Sequence, residues 1–238
     1  MKDVLYIIIP AYNESANIRE IVDDWYPVIE AHDGAGLSRL VIIDDGSRDD
    51  TYAILNDLAK TRPLLEPHTK SNGGHGATVL YGYHYALERS ADFVFQTDSD
   101  GQTLPSEFEP FWNNRNNFDM VIGQRCGRQD GLSRNLVTRV LRFVIWLCFG
   151  VSVPDANTPY RLMQAPALAR YIELIPEGFF LSNVLLSVIY QKKSLRVKYL
   201  PITFRPRQGG TNSINMRRIF RIGCQALVDF RRINSKLK

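Results

Sequence analysis

FQTDSDGQTLP, residues 95–105, sets two carboxylates, Asp98 and Asp100, one residue apart at the end of an apolar run. Carboxylates next to apolar sequence are costly unless a partner or a metal ion holds them. DFVFQTD (92–98) has the apolar run of a central strand, so the acids fall at its carboxyl end. Outward from this strand the chain alternates strands with helices. VLYIIIP (4–10) reads as a strand. SANIREIVDDWYPVIEAH (15–32) places Ile18, Ile21, Val22, Trp25 and Ile29 at helical spacing, with Ser15 as the expected N-cap. LVIID (40–44) is the next strand and DTYAILNDLAKT (50–61) the next helix. GATVLYGYHYAL (76–87) is a third helix and DMVIGQR (119–125) a further strand. Strands apolar on both faces, alternating with helices, predict an α/β fold with a mostly parallel central sheet flanked by helices. Such sheets bind ligands at the carboxyl ends of their strands.

The second half is less regular. LSRNLVTRVLRFVIWLCFG (132–150) and FFLSNVLLSVIYQKK (179–193) predict long helices, and LRVKYLPITFRP (195–206) a strand pair or one long strand. The 238 residues, 45% hydrophobic, suit one sizeable core, with no internal repeat. Three separated cysteines, Cys126, Cys148 and Cys224, form no CxxC pattern, which points to a reducing compartment. The apolar run at the N-terminus is short and ends in Pro10, as a strand does and a signal peptide does not. No apolar stretch reaches the length of a membrane span. The net charge of +4 is uneven: Arg217 to Lys238 holds seven basic residues and one acid, so the rest of the chain is slightly acidic. That balance gives no sign of a nucleic-acid partner.

Four motifs end the predicted strands. PAYNESANI (10–18), taken alone, is an ordinary strand-to-helix loop. IIDDGSRDDT (42–51) reads either as a turn with solvated acids or as a site for a base or ribose. SNGGHGATVLYGY (71–83) has a glycine-rich turn before a helix but matches neither phosphate-loop pattern, so a cap and an anion site stay open. His75 within it reads as a surface histidine. Asp98 and Asp100 suit one hard divalent cation with positions left for phosphate oxygens.

In this order the motifs IIPAYNE (8–14), VIIDDGSRDDT (41–51), TDSDGQ (97–102), VIGQR (121–125) and DANTPYRLM (155–163) give a chain that resembles the family 2 glycosyltransferases of GT-A fold. Within them it is most similar to the dolichyl- and polyprenyl-phosphate sugar synthases, from about Val4 to Ser213. The resemblance implies that residues 1–213 form a GT-A catalytic domain and that Pro10, Ala11, Tyr12, Glu14 and Asp45 hold a nucleotide, with Ile43 beside its base. It implies Mg²⁺ or Mn²⁺ on Asp98, Asp100 and Gln102, and an acceptor phosphate facing Arg125, Arg134 and Arg207, with Thr138 nearby. Asp98, Asp100 and Arg125 are then the catalytic set. Two departures stand out. GFFLSNVLLS (178–187) carries Asn183 and Val184 where these synthases usually have an acid, and RPRQGGTNS (205–213) lacks their usual lysine.

Cleaving a GDP- or UDP-sugar builds negative charge on a diphosphate, which a divalent cation neutralises where it develops. Inverting transfer to a hydroxyl needs a general base, whereas a phosphate acceptor is already ionised near neutrality. The missing acid near Asn183 and the many arginines (among them Arg139, Arg161 and Arg205) favour phosphate. Asp155 and Glu177 stay open as bases. The expectation is therefore a cytoplasmic enzyme, peripheral at the inner face of the membrane, that transfers a sugar to polyprenyl phosphate. The alternatives are transfer to a saccharide or protein hydroxyl, and an inactive nucleotide-sugar-binding protein. Residues 214–238 are expected to form a basic amphipathic helix, with Ile219, Ile222, Ala226 and Phe230 as one apolar stripe at the membrane interface or against a membrane partner subunit; the alternative is a helix packed on the domain with its charges in solvent.

Overall fold

The computed structural model describes residues 3–34, 36–125, 132–205 and 229–235, with side chains from 139 onward in the helix that starts at Leu132. The elements run β1 (Leu5–Ala11), α1 (Ile18–Ala31), β2 (Arg39–Asp44), α2 (Thr51–Ala59), β3 (Leu65–Thr69), α3 (His75–Glu88), β4 (Phe93–Gln96), α4 (Phe108–Asn113), β5 (Met120–Arg125), α5 (Leu132–Phe149), β6 (Arg161–Gln164), α6 (Ala165–Tyr171), α7 (Ser182–Lys192) and β7 (Val197–Ile202). They build one seven-stranded sheet of order β3-β2-β1-β4-β6-β5-β7. β1 pairs in parallel with β2 and β4, β2 with β3, and β5 with β7, whereas β6 runs antiparallel to both its neighbours.

Period-two alternation explains how one sheet carries two cores. On β1, Leu5, Ile7 and Ile9 join α1, α2 and α4 through Ile21, Trp25, Leu55 and Phe108. Tyr6 and Ile8 point the other way, to α3, α5 and α7 through Val79, Tyr83, Ile145 and Leu185. Every residue of β1 is buried, as a strand covered on both faces requires.

Two differences from the sequence reading have local causes. β3, LEPHT, is a strand despite Pro67 because it lies at the sheet edge, where a missing N–H is tolerated. β6 has only four residues and holds a fully buried Arg161, so no apolar run announced it. Of the two forms the sequence allowed for 195–206, residues 197–202 adopt one strand. In addition α1 begins at Ile18 with Asn17 as its N-cap residue, while the Ser15 N–H is turned to Asp49.

Where the C-terminal segment is described, it follows the packed alternative and not the interfacial one. Residues 229–235 are helical and pack on the domain. Phe230 is fully buried, with its ring 5.2 Å from that of Phe149. Ile233 is buried too, the Asn234 side chain donates to the Cys148 carbonyl at 2.9 Å, and Lys192 donates to Asn234. Phe230 therefore belongs to the core and not to an exposed stripe. The rest of that stripe, from Ile219 to Ala226, lies outside the described residues.

Candidate active site

Strand order changes direction between β1 and β4, since the chain first builds outward through β2 and β3 and then returns to the other side of β1. Ligand crevices form at such points. An open cleft of about 370 Å³ lies there. β1 and the loop after it contribute Pro10, Ala11, Tyr12 and Glu14, and the turn after β2 contributes Asp45. The β3–α3 segment supplies Asn72, Gly74, His75 and Thr78, and the loop after β4 supplies Asp98, Ser99 and Asp100. Ile43 is elsewhere. It is fully buried beneath α3, so close to Gly82 that a Cβ there would stand 2.7 Å from it, and it does not line the cleft.

The first two loops are tied to each other. The Asn13 N–H donates to Ser47 Oγ at 2.8 Å, Arg48 N–H to Asn13 Oδ1 at 2.9 Å, and Glu14 N–H to Thr51 Oγ1 at 2.9 Å. Asp49 accepts from the N–H groups of Ser15 and Thr51, both at 3.1 Å, and from the Thr51 hydroxyl. Its small burial works against the charge, but these bonds outweigh it and lower the pKa to about 2.

Asp45 organises the third loop. Its carboxylate accepts from Lys70 Nζ, from Gly73 N–H at 2.9 Å and from Gly74 N–H at 2.8 Å, while Asn72 donates to its carbonyl at 2.8 Å. Burial raises this carboxyl, yet Lys70 and the Gly73 amide prevail and hold it below the ordinary range. The glycine turn thus points amides at a resident carboxylate. Gly46 is required for this approach: its φ is +70°, and a Cβ would meet Asn72 N at 3.0 Å.

Beyond β4, Asp98 and Asp100 both face the cleft. His75, the first residue of α3, places Nε2 2.9 Å from Asp98 Oδ1. Burial penalises the Asp98 charge, but His75, then Arg125 and Arg161, outweigh it, so the carboxyl sits below the ordinary range. Burial also disfavours a charged His75, and Asp98 reverses that, raising the imidazole. Gly76 lets this helix start close to the loop before α7, since a Cβ would fall 2.2 Å from the Phe179 carbonyl. The sequence reading had left His75 as a surface residue. Its position at the head of a helix, directly after Gly73 and Gly74, is the signal the sequence offers.

The residues fit a divalent cation shared with a ligand. Among the described residues no group of three or more His, Cys, Asp and Glu is arranged to hold a metal unaided. Asp98 and Asp100 supply hard anionic oxygens at one rim of a cleft that Glu14 and Asp45 also line. A diphosphate would be repelled from these carboxylates without a cation between them.

On the far side of β4 the expected acceptor residues meet different partners. Arg125, at the end of β5, makes a bidentate pair with Asp155, Nε to Oδ2 at 2.9 Å and Nη2 to Oδ1 at 2.7 Å, under the ring of Phe204. Asp155, open as a base from sequence, is buried in this pair. Glu177 is exposed and absent from the cleft lining. Arg161 donates to the carbonyls of Thr158 (3.1 Å), Asn183 (3.0 Å) and Ala156 (3.3 Å), clamping β6 to α7; it faces no surface. The Gln102 amide donates to the Arg205 carbonyl at 2.8 Å, and Arg205 N–H returns a bond to the Gln102 carbonyl at 2.8 Å. The Gln102 N–H donates to Asp100 Oδ1 at 3.2 Å, so Gln102 links the acidic loop to the strand end after β7. The side chains of Arg134 and Thr138, and all of Arg207, lie outside the described residues.

Comparison with known proteins gives a consistent picture. The pattern described as Glycosyl transferase family 2 matches residues 6–172. The UDP-N-acetylglucosamine–dolichyl-phosphate N-acetylglucosaminyltransferase of Methanococcus voltae is 26% identical over 84% of this chain and 84% of its own. The polyprenol monophosphomannose synthase of Mycolicibacterium smegmatis is 26% identical over 88% and 80%. The undecaprenyl-phosphate mannosyltransferase of Micrococcus luteus is 25% identical over 87% and 86%. Among solved structures, glucosyl-3-phosphoglycerate synthase from Mycobacterium tuberculosis in complex with Mn²⁺ and UDP-glucose superposes with a TM-score of 0.66, covering 96% of this chain and 79% of that one at 18% identity, a likeness of fold.

Proposed function

The chain belongs to glycosyl transferase family 2, and from that premise we propose that it moves a sugar from a GDP- or UDP-sugar to a polyprenyl phosphate at the cytoplasmic face of a membrane. The relatives named for dolichyl-, polyprenol and undecaprenyl-phosphate transfer support this acceptor. The observation that carries the reading is the pairing of carboxylates. Around the cleft, Asp45 is held by Lys70 and two amides, Glu14 is hydrogen-bonded to Asn17 at 3.2 Å, and Asp98 meets His75. Asp155 is locked on Arg125. Among the described residues, no carboxylate beyond the Asp98/Asp100 pair is placed as a general base, as a hydroxyl acceptor would require and a phosphate would not.

In this reading Pro10, Ala11, Tyr12 and Glu14 line the nucleotide's place, and Asp45 shapes the loop that closes it. Asp98 and Asp100, with Gln102 beside them, would hold Mg²⁺ or Mn²⁺, which would offset the charge building on the departing diphosphate. His75 orients Asp98 and keeps it ionised. Arg125, fixed by Asp155, together with Arg134, Thr138 and Arg207, faces the acceptor phosphate. A phosphate oxygen attacks the anomeric carbon as the bond to the nucleoside diphosphate breaks, so one displacement inverts the centre and releases the diphosphate.

A panel of nucleotide sugars incubated with polyprenyl phosphate and Mn²⁺ tests this. One labelled sugar should enter the organic phase, and a chelator should abolish the transfer. Transfer only to a saccharide or protein acceptor would overturn it.

A further inference from the structure

Helix α5 is apolar on two sides, and only one side meets the domain. Ile145, Cys148 and Phe149 are buried against the core, where they join Val184, Leu185 and Phe230. On the other side Val140, Phe143, Trp146 and Leu147 are 53%, 59%, 57% and 54% exposed. At roughly 100° per residue these four fall within an arc of about 120°, so they share one face. The rings of Phe143 and Trp146 lie 6.1 Å apart, which makes the face continuous. Scattered exposed apolar residues carry no meaning, but four of the eight large ones among the described residues gather here.

Cations rim this face. Arg139 and Arg142 are exposed on the same side of α5, and residues 139–150 contain no acid. Arg231 and Arg232 are exposed on the segment that Phe230 and Asn234 fasten to the carboxyl end of α5. No helix among the described residues is long and apolar enough to cross a membrane, so contact of this face with a bilayer would be interfacial. Only six residues separate Arg125 from Leu132, which keeps the start of α5 within roughly 25 Å of the expected acceptor site.

We propose that the outer face of α5 is a docking surface for an anionic lipid bilayer, with Val140, Phe143, Trp146 and Leu147 entering the headgroup boundary and the four arginines meeting the lipid charge. Residues 229–235 act as a clamp, holding α5 on the domain and adding Arg231 and Arg232 to its rim. The proposal rests on the polyprenyl-phosphate reading for its purpose but not for its test, because docking needs no acceptor.

The test uses the full chain with vesicles of phosphatidylglycerol and phosphatidylcholine free of polyprenyl phosphate. The protein should sediment with anionic vesicles and far less with neutral ones, and 0.5 M salt should weaken binding, since screening then acts within a few Å. Phe143→Ser with Trp146→Ser should reduce binding at least tenfold while the melting temperature stays within a few degrees of the parent. Lipids brominated near the headgroup should quench the parent's tryptophan emission, and Trp146→Phe should remove that quenching, because the other two tryptophans belong to the opposite core, Trp25 buried in it and Trp112 partly buried against it. Undiminished sedimentation of the double variant, or quenching that persists in Trp146→Phe, would overturn the proposal. So would a dimer of the parent in solution that the double variant splits, which would assign the face to a second copy. Docking that persists while sugar goes to a hydroxyl acceptor would sink the polyprenyl-phosphate reading and leave this one standing.

Discussion

The sheet has two halves that reach function differently. From β1 to β4, the strands are parallel and each ends in a loop that delivers side chains to the cleft within a few residues: Tyr12 and Glu14, Asp45, His75, Asp98 and Asp100. From β6 to β7, the strand directions are mixed and the decisive contacts join distant residues. Arg125 meets Asp155 thirty residues on, Arg161 meets Asn183, and Gln102 meets Arg205 across more than a hundred. Chemistry in the first half is local to its motifs. In the second half it depends on which partner folding brings, so arginines that look alike in sequence become an ion pair, a buried clamp and an exposed edge of α5.

The largest effect that would sharpen this contrast is on stability. Arg161→Met should cost about 3–5 kcal/mol, because the carbonyls of Thr158, Asn183 and Ala156 lose their donors inside the core. Urea unfolding measures it, and a cost below about 1 kcal/mol would mean that the clamp between β6 and α7 is not structural. Asp100→Asn tests the other half. Turnover should fall roughly 10²-fold or more with the melting curve unchanged, and normal turnover in saturating Mn²⁺ would erase the functional distinction between the halves.

Smaller effects separate residues within the first half. His75→Ala should weaken Mn²⁺ binding roughly tenfold by freeing Asp98 from its orienting partner. Calorimetric titration reads this directly, and unchanged metal affinity would return His75 to the status of a surface residue. Asp49→Asn should lower the melting temperature by a few degrees at most at pH 7. The folded-state pKa of Asp49 is depressed to about 2, so its stabilisation is present above the ordinary aspartate pKa of about 3.9 and is lost as pH falls toward 2. The gap between variant and parent should therefore close in acid; a gap constant with pH would show that the loop staple is not ionic.

The same division decides what was legible. The buried run LYIIIPA, the helical spacing around Trp25 and the acids after β4 are local patterns, and each led to its element or its cleft position. Ile43 failed that logic because of depth along the strand: it lies within β2, buried under α3, whereas Asp45, just past the strand end, reaches the cleft. β6 escaped notice because an antiparallel strand of four residues around a buried arginine has neither length nor apolar continuity. The amphipathic tail stayed ambiguous for a related reason. Phe230 and Ile233 at helical spacing are equally compatible with a bilayer and with a core, and the partner present is Phe149. Conversely α5, read simply as a long helix, carries more apolar surface than the domain covers, which periodicity in the sequence does not reveal.

The central claim is that the acceptor brings its own charge. Matched reactions with polyprenyl phosphate and with the corresponding polyprenol, under the same nucleotide sugar and Mn²⁺, test it most directly. The account predicts lipid-linked sugar from the phosphate alone, with release of one nucleoside diphosphate per sugar transferred. Comparable transfer to the free alcohol would contradict it, because it would require a general base, and the carboxylates around this cleft are already engaged by donors.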